Sequence, residues 1–95
     1  MSNKFFVAKI IDGDTFSVSP NWEWNEQSGD RVRPIGWDTP EKGKPGFEEA
    51  KEKLSKLIFG KYVELQDAVK IDRGRIVCDV FLNGKNIAIY FPAYR

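Results

Sequence analysis

Histidine is absent from this chain, and cysteine occurs once, as Cys78. Without histidine, Ser-His-Asp and Cys-His triads, histidine-based zinc sites and histidine general bases are all excluded. A single cysteine closes no intrachain disulfide and builds no cysteine-based zinc site, and no disulfide-linked partner is expected. Long hydrophobic runs are missing too. The apolar stretch Phe5 to Ile11 is short, is interrupted by Lys9 and is followed by no small-residue cleavage site, so it reads as a strand and not a signal peptide. No membrane association is expected, and the cytoplasm is favoured over export.

A charge of one sign is also lacking. Fifteen Lys and Arg against 14 Asp and Glu leave a formal net charge of +1, well short of the basic excess of a protein that coats nucleic acid by bulk electrostatics. Nucleic-acid binding, if any, has to be local. The charge is mildly polarised: residues 1–30 carry Lys4 and Lys9 against Asp12, Asp14, Glu23, Glu26 and Asp30, and the other basic groups all follow. What remains for chemistry is carboxylate, lysine, arginine and tyrosine. With 95 residues and 41% hydrophobic content, the chain is long enough for one core and too short for two, so residues 1–95 read as one domain, expected to be a monomer.

Residues 4–11 read as a strand, and Asp12-Gly13 turns the chain into a second strand from Thr15 to Ser19. Pro20 to Asp30 is rich in turn formers and reads as an extended hairpin tip before a third strand, Arg31 to Trp37. Phe47, Ala50, Leu54, Leu57 and Ile58 recur at helical spacing, with Glu49/Lys53 and Glu52/Lys56 pairs on the other surface, and Gly60 stops this one amphipathic helix. Tyr62 to Leu65 and Arg75 to Leu82 follow as strands, and Asn83-Gly84 leads into a last short strand near Asn86 to Tyr90. Along Arg75 to Leu82 one parity holds Ile76, Cys78, Val80 and Leu82, which makes Cys78 a packing residue. Three strands, a helix and two strands in so short a chain predict a mainly β fold. The expected form is a five-stranded Greek-key barrel of the OB type, with the helix between strands 3 and 4.

In Asp12-Gly13-Asp14-Thr15 the turn gives Asp12 a backbone role, but does not require Asp14. Asp38-Thr39-Pro40-Glu41 would suit a helix start, except that Gly43, Pro45 and Gly46 interrupt any helix begun there. Two acids at separate loop ends are what an oxygen-ligated cation such as Ca²⁺ or Mg²⁺ needs, with main-chain carbonyls and water completing the shell, and Glu41 stays free for proton transfer. Arg33 and Arg75 have the planar fork that matches phosphate oxygens in pairs. Each of these pieces also has an ordinary structural reading; their combination is the signal.

Ile11-Asp12-Gly13-Asp14-Thr15-Phe16, Arg31-Val32-Arg33, Asp38-Thr39-Pro40-Glu41 and Gly74-Arg75, in that order around one helix, resemble the staphylococcal (micrococcal) nuclease or thermonuclease family over about residues 5–90. The resemblance is to a short form without that family's two C-terminal helices. It implies an OB barrel, with Asp14, Asp38 and the main-chain carbonyl of Thr39 as Ca²⁺ ligands and Glu41 activating or positioning the attacking water. Arg33 and Arg75 would hold the scissile phosphate. The implied reaction is hydrolysis of DNA or RNA to leave a 3′-phosphate, with nucleic acid as the partner.

Departures from the family pattern are local. One residue, not two, separates Asp72 from Gly74-Arg75. Pro34 cannot donate a ladder hydrogen bond, and strict alternation would put Arg33 and Asp38 on opposite faces unless the chain bends near Gly36. Tyr90 and Tyr94 are candidates for the nucleotide cleft or for barrel-edge packing. Trp22 and Trp24 are candidates for base stacking or for packing, with Glu23 and Glu26 beside them opposing phosphate. The rival function is an OB-type module that binds nucleic acid or protein without cleavage.

Overall fold

In the computed structural model, residues 4–95 are described; the first three residues of the domain expected over 1–95 lie outside them. The elements are β1 (Lys4–Asp12), β2 (Thr15–Trp24), β3 (Gln27–Pro34), α1 (Phe47–Ile58), β4 (Tyr62–Asp72), β5 (Arg75–Leu82) and β6 (Lys85–Asn86). Two 3-10 turns follow, at Ile87–Tyr90 and Pro92–Tyr94.

The strands hydrogen-bond in the order β3-β2-β1-β4-β5-β6, and β3 also pairs with β5. That last pairing is parallel, from Arg31 opposite Arg75 to Pro34 opposite Cys78. It closes β1 to β5 into a five-stranded barrel of the OB type with β6 as an additional strand, as the sequence predicts. Closure removes the exposed edges that an open sheet would leave.

Alternation supplies the core. Ile76, Cys78 and Val80 of β5 point inward with Val7 and Ile10 of β1, Phe16 and Val18 of β2, and Val32 of β3. The Cys78 thiol is buried among them, and burial, followed by the neighbouring Asp79, pushes its pKa up to about 12. Helix α1 buries Phe47, Ala50, Leu54 and Ile58 at the expected spacing and leaves the exposed Lys56–Glu52 ion pair, 3.0 Å, on its outer face. Its C-terminal end is tied to β1 by Gly60 N–H donating to Val7 O at 3.1 Å and Val7 N–H donating to Lys61 O at 2.9 Å.

The bounds of the second, third, fourth and last expected strands move. The strand expected over Thr15 to Ser19 runs on to Trp24, and Pro20–Asp30 is not an open tip. Trp22 pairs with Gly29, Glu23 with Ser28 and Trp24 with Gln27, around Asn25 and Glu26 at φ 53 and 64. The physical reason is Trp22: its ring is 2% exposed and its Nε1–H donates to Arg31 O at 2.8 Å, so burial overrides the turn-forming composition. The third strand accordingly begins at Gln27 and ends at Pro34, three residues before Trp37. Strand β4 continues past Leu65 to Asp72 through an irregularity between Gln66 and Lys70. The last strand shrinks to Lys85–Asn86 because Asn86 Oδ1 accepts from Ala88 N–H at 2.9 Å and starts a 3-10 turn instead. Among the described residues no helix is long and apolar enough to cross a membrane.

Candidate active site

The β1–β2 turn presents the first acid. Asp12 pairs with Thr15, leaving Gly13 and Asp14 at the tip, and Asp12 Oδ1 accepts from Asp14 N–H at 3.0 Å, the local bond that makes Asp a turn former. Gly13 is pressed between elements: a Cβ there would meet Ala50 Cβ and Thr39 Oγ1 at 2.7 Å each. Its carbonyl accepts from Trp37 Nε1–H at 3.0 Å. Asp14 therefore sits against the chain that leaves β3, where its Oδ2 accepts from Thr39 N–H at 3.2 Å.

That chain bends as convergence requires. Strand pairing ends at Pro34, after which Ile35 N–H donates to Cys78 O at 2.9 Å. Gly36 then adopts φ +114, which a side chain at this position would oppose. Arg33 stitches the bend together: Nη1–H donates to Pro34 O at 2.7 Å and to Trp37 O at 3.0 Å. Its Nη2 donates to Asp38 Oδ1 and lies 3.7 Å from Asp14 Oδ2. Trp37 is stacked on Phe91 with centroids 4.3 Å apart, and Asp38 N–H donates to Tyr94 O at 2.9 Å, so the C-terminal turns brace the same loop.

Arg75 reaches this cluster through one hydroxyl. Its Nη1–H donates to Thr15 Oγ1 at 3.0 Å, and Thr15 Oγ1 donates to Asp14 Oδ1 at 3.3 Å. Asp72 holds the other side of the guanidinium, with Oδ2 at 3.1 Å from Nη2. The β4–β5 turn at Arg73-Gly74 has φ 55 and 77, the two-residue hairpin geometry; shorter by one residue, it still delivers Arg75 to the cluster.

The environment of Asp14 is unfavourable to its own charge. Burial is the largest cause and Asp12 adds to it; Arg33 and the Thr39 N–H oppose them but do not prevail, so its pKa is raised above 3.8. Asp38, by contrast, has a side chain 83% exposed.

Asp14, Asp38, Thr39 and Arg33 thus come together, with Arg75 joined through Thr15. Glu41 is exposed on the stretch leading to α1; its carbonyl accepts from Lys44 N–H at 2.9 Å. Tyr94 is half-buried and lines a cleft of about 480 Å³ with Arg33, Asp38, Lys70 and Arg95. Tyr90 is 38% exposed and lies outside the lining of that cleft. For Trp22 base stacking is overturned, since its ring is buried in the barrel. Trp24 stands at the far end of β2 from Thr15, half-buried and away from the acids. Thr15 and Trp37 were not among the expected site residues, although both lie inside the quoted motifs or directly beside them.

No family model matches the chain. It is similar to an uncharacterized 38.1 kDa protein of Capnoides sempervirens, 36% identical over 73 residues, covering 67% of this chain and 22% of that protein. The chain spans about a fifth of the length of the relative it matches.

The donor set suits a hard cation in kind. Among the described residues no three His, Cys, Asp or Glu side chains cluster as a metal site, but Asp14 and Asp38 converge on one guanidinium nitrogen. Two carboxylates that already share a positive group can share a divalent one, with main-chain oxygen and water supplying the remaining ligands.

Proposed function

We propose that this domain is a Ca²⁺-dependent nuclease that hydrolyses phosphodiester bonds of DNA or RNA and leaves 3′-phosphates. The observation that carries the reading is the convergence of Asp14 and Asp38 on Arg33 beside an open cleft. Neither the turn nor the bend requires both acids there for packing.

Asp14, Asp38 and the Thr39 carbonyl would hold the cation, which when bound would neutralise phosphodiester charge and orient a water. Arg33 Nη2, relieved of Asp38, is available to a phosphate oxygen while Nη1 stays anchored on the carbonyls of Pro34 and Trp37. Arg75, kept in line by Thr15 and Asp72, supplies a second set of donors to the more highly charged transition state. Glu41, exposed at the loop, accepts the proton of the attacking water. The reading rests on the carboxylates and arginines alone, as a chain without histidine demands.

One observation favours the rival. The Arg33 guanidinium is already met by two carbonyls and two carboxylates of its own chain, an arrangement that would also serve a non-catalytic OB-type module binding nucleic acid or protein. Incubation with single-stranded DNA and RNA separates the two readings, in Ca²⁺ or in chelator and beside Glu41→Gln. The nuclease reading expects cleavage in Ca²⁺ only, slowed about 10²-fold or more by the substitution. Equal cleavage in chelator, or by Glu41→Gln, overturns the mechanism, and binding without cleavage selects the module.

A further inference from the structure

A second cleft, of about 560 Å³, opens at the barrel mouth between the end of β2 and the irregular part of β4. Barrel mouths are a preferred place for small-molecule sites, and this volume is within the usual range of about 300–1,000 Å³. Three aromatic side chains line it: Phe5, Trp22 and Trp24. Trp22 is fixed by its bond to Arg31 O and by its contact with Gly29, where a Cβ would meet the ring at 2.8 Å. Leu65 and Ala68 of β4 and Ile76 and Cys78 of β5 also line the cleft.

The charges at the rim have one sign. Glu23 and Asp67 line the cleft and no Lys or Arg does, among the described residues. Both acids are exposed, and neither is in a salt bridge among the described residues. Asp67 is directed there by a backbone irregularity, with φ 54 at the register break of β4. In a chain with 15 basic and 14 acidic groups, an all-acidic rim beside the half-buried rings of Phe5 and Trp24 is a selective feature. Aromatic faces attract cations through their negative quadrupole, most strongly cations that part easily with water. Carboxylates at the rim add to that attraction and reject phosphate.

We propose that this cleft binds a weakly hydrated organic cation, an alkylated ammonium or a guanidinium group. The proposal is independent of the phosphodiesterase reading, none of whose proposed catalytic or cation-holding residues lines this cleft.

The test is titration of the full chain, followed through the indole N–H resonances in ¹⁵N-correlated spectra. The probes are tetramethylammonium and methylguanidinium, with tert-butyl alcohol as a neutral group of similar bulk and sodium chloride as the ionic control. Saturable, millimolar shifts of the Trp24 resonance are expected with either cation, while Trp37 stays still. Glu23→Gln and Asp67→Asn keep shape and, at 67, a residue tolerant of positive φ; each should weaken binding about threefold and together about tenfold. Unchanged thermal unfolding of both variants keeps the comparison fair. An unmoved Trp24, equal shifts with tert-butyl alcohol, parallel movement of Trp37 and Trp24, or undiminished binding in the double variant would overturn the proposal.

Discussion

Replacing Gly13 by alanine tests the assembly of the candidate site through a residue that carries no chemistry. A Cβ at position 13 would lie 2.7 Å from Ala50 Cβ, 2.7 Å from Thr39 Oγ1 and 2.9 Å from Thr39 Cβ. Carbon contacts settle at about 3.5–4.0 Å, so α1 and the Thr39 loop would both have to retreat by close to an ångström. Two of the obstructing atoms are Cβ atoms, fixed to the backbone, and side-chain rotation cannot move them aside. Overpacking of this kind costs about 2–3 kcal/mol. In a chain of this size that lowers Tm by roughly 10–20 °C. Retreat of the loop also withdraws Thr39 N–H from Asp14 Oδ2, a bond of 3.2 Å, so Ca²⁺ affinity should fall with stability. Urea unfolding and calcium titration measure both. Adding Ala50→Gly removes one obstruction, and the double variant should be less unstable than the two single losses combined by about 1 kcal/mol. Unfolding free energy of Gly13→Ala within about 0.5 kcal/mol of the parent, with calcium binding intact, would refute this account of how the turn, the helix and the loop are joined.

Thr15→Val keeps the shape but deprives Asp14 Oδ1 and Arg75 Nη1 of their shared partner, and should cost about 1–3 kcal/mol in urea melts. Arg33→Lys loses the fork that holds two carbonyls and two carboxylates, so under the proposed nuclease reading cleavage should drop about 10²-fold or more with the fold retained by circular dichroism. Asp14 binds its proton more tightly in the folded than in the unfolded chain. Its contribution therefore lowers stability as pH rises from 3.8 through the raised folded value, and that loss persists at neutral pH. Asp14→Asn should accordingly raise Tm at neutral pH, with the gain vanishing as pH falls below 3.8; a lower Tm at neutral pH would contradict the assignment. Cys78, buried with its thiol pushed up to about 12, should resist alkylation in the native protein and react only once the chain is unfolded, as thiol-reagent kinetics will report.

The barrel was legible where the apolar pattern follows the backbone period. Ile76, Cys78, Val80 and Leu82 announce β5, and Phe47, Ala50, Leu54 and Ile58 announce α1. It was illegible where long-range contacts decide. Nothing local in Pro20-Asn21-Trp22 shows that Trp22 will be buried and Nε1 bonded to Arg31 O nine residues on, which converts an apparent loop into paired strand. Residues 66–72 lack clean alternation, yet β5 pairs with Gln66 and with Lys70 to Asp72 on either side of the register break. The site shows the same division. Asp14, Asp38 and Arg33 sit in short motifs, whereas the part played by Thr15 depends on Arg75, sixty positions away.

Three features beside the candidate site depart from what packing alone would favour. Asp14 is held in surroundings that disfavour its charge. Thr39 Oγ1 is buried without a hydrogen-bond partner among the described residues, and Gly36 takes a left-handed conformation to turn β3 aside. All three lie on or beside the segments that carry Asp14, Arg33 and Asp38. Each departs from what would make the most stable domain, since a buried acid, an orphan hydroxyl and a glycine bend all cost free energy. A sequence shaped for packing alone has ready remedies, such as asparagine at 14 or valine at 39. Local departures of this kind are often found at residues kept for another purpose. In the proposed nuclease reading, a cation held by Asp14 and Asp38 would offset the disfavour that burial and Asp12 impose on the Asp14 charge.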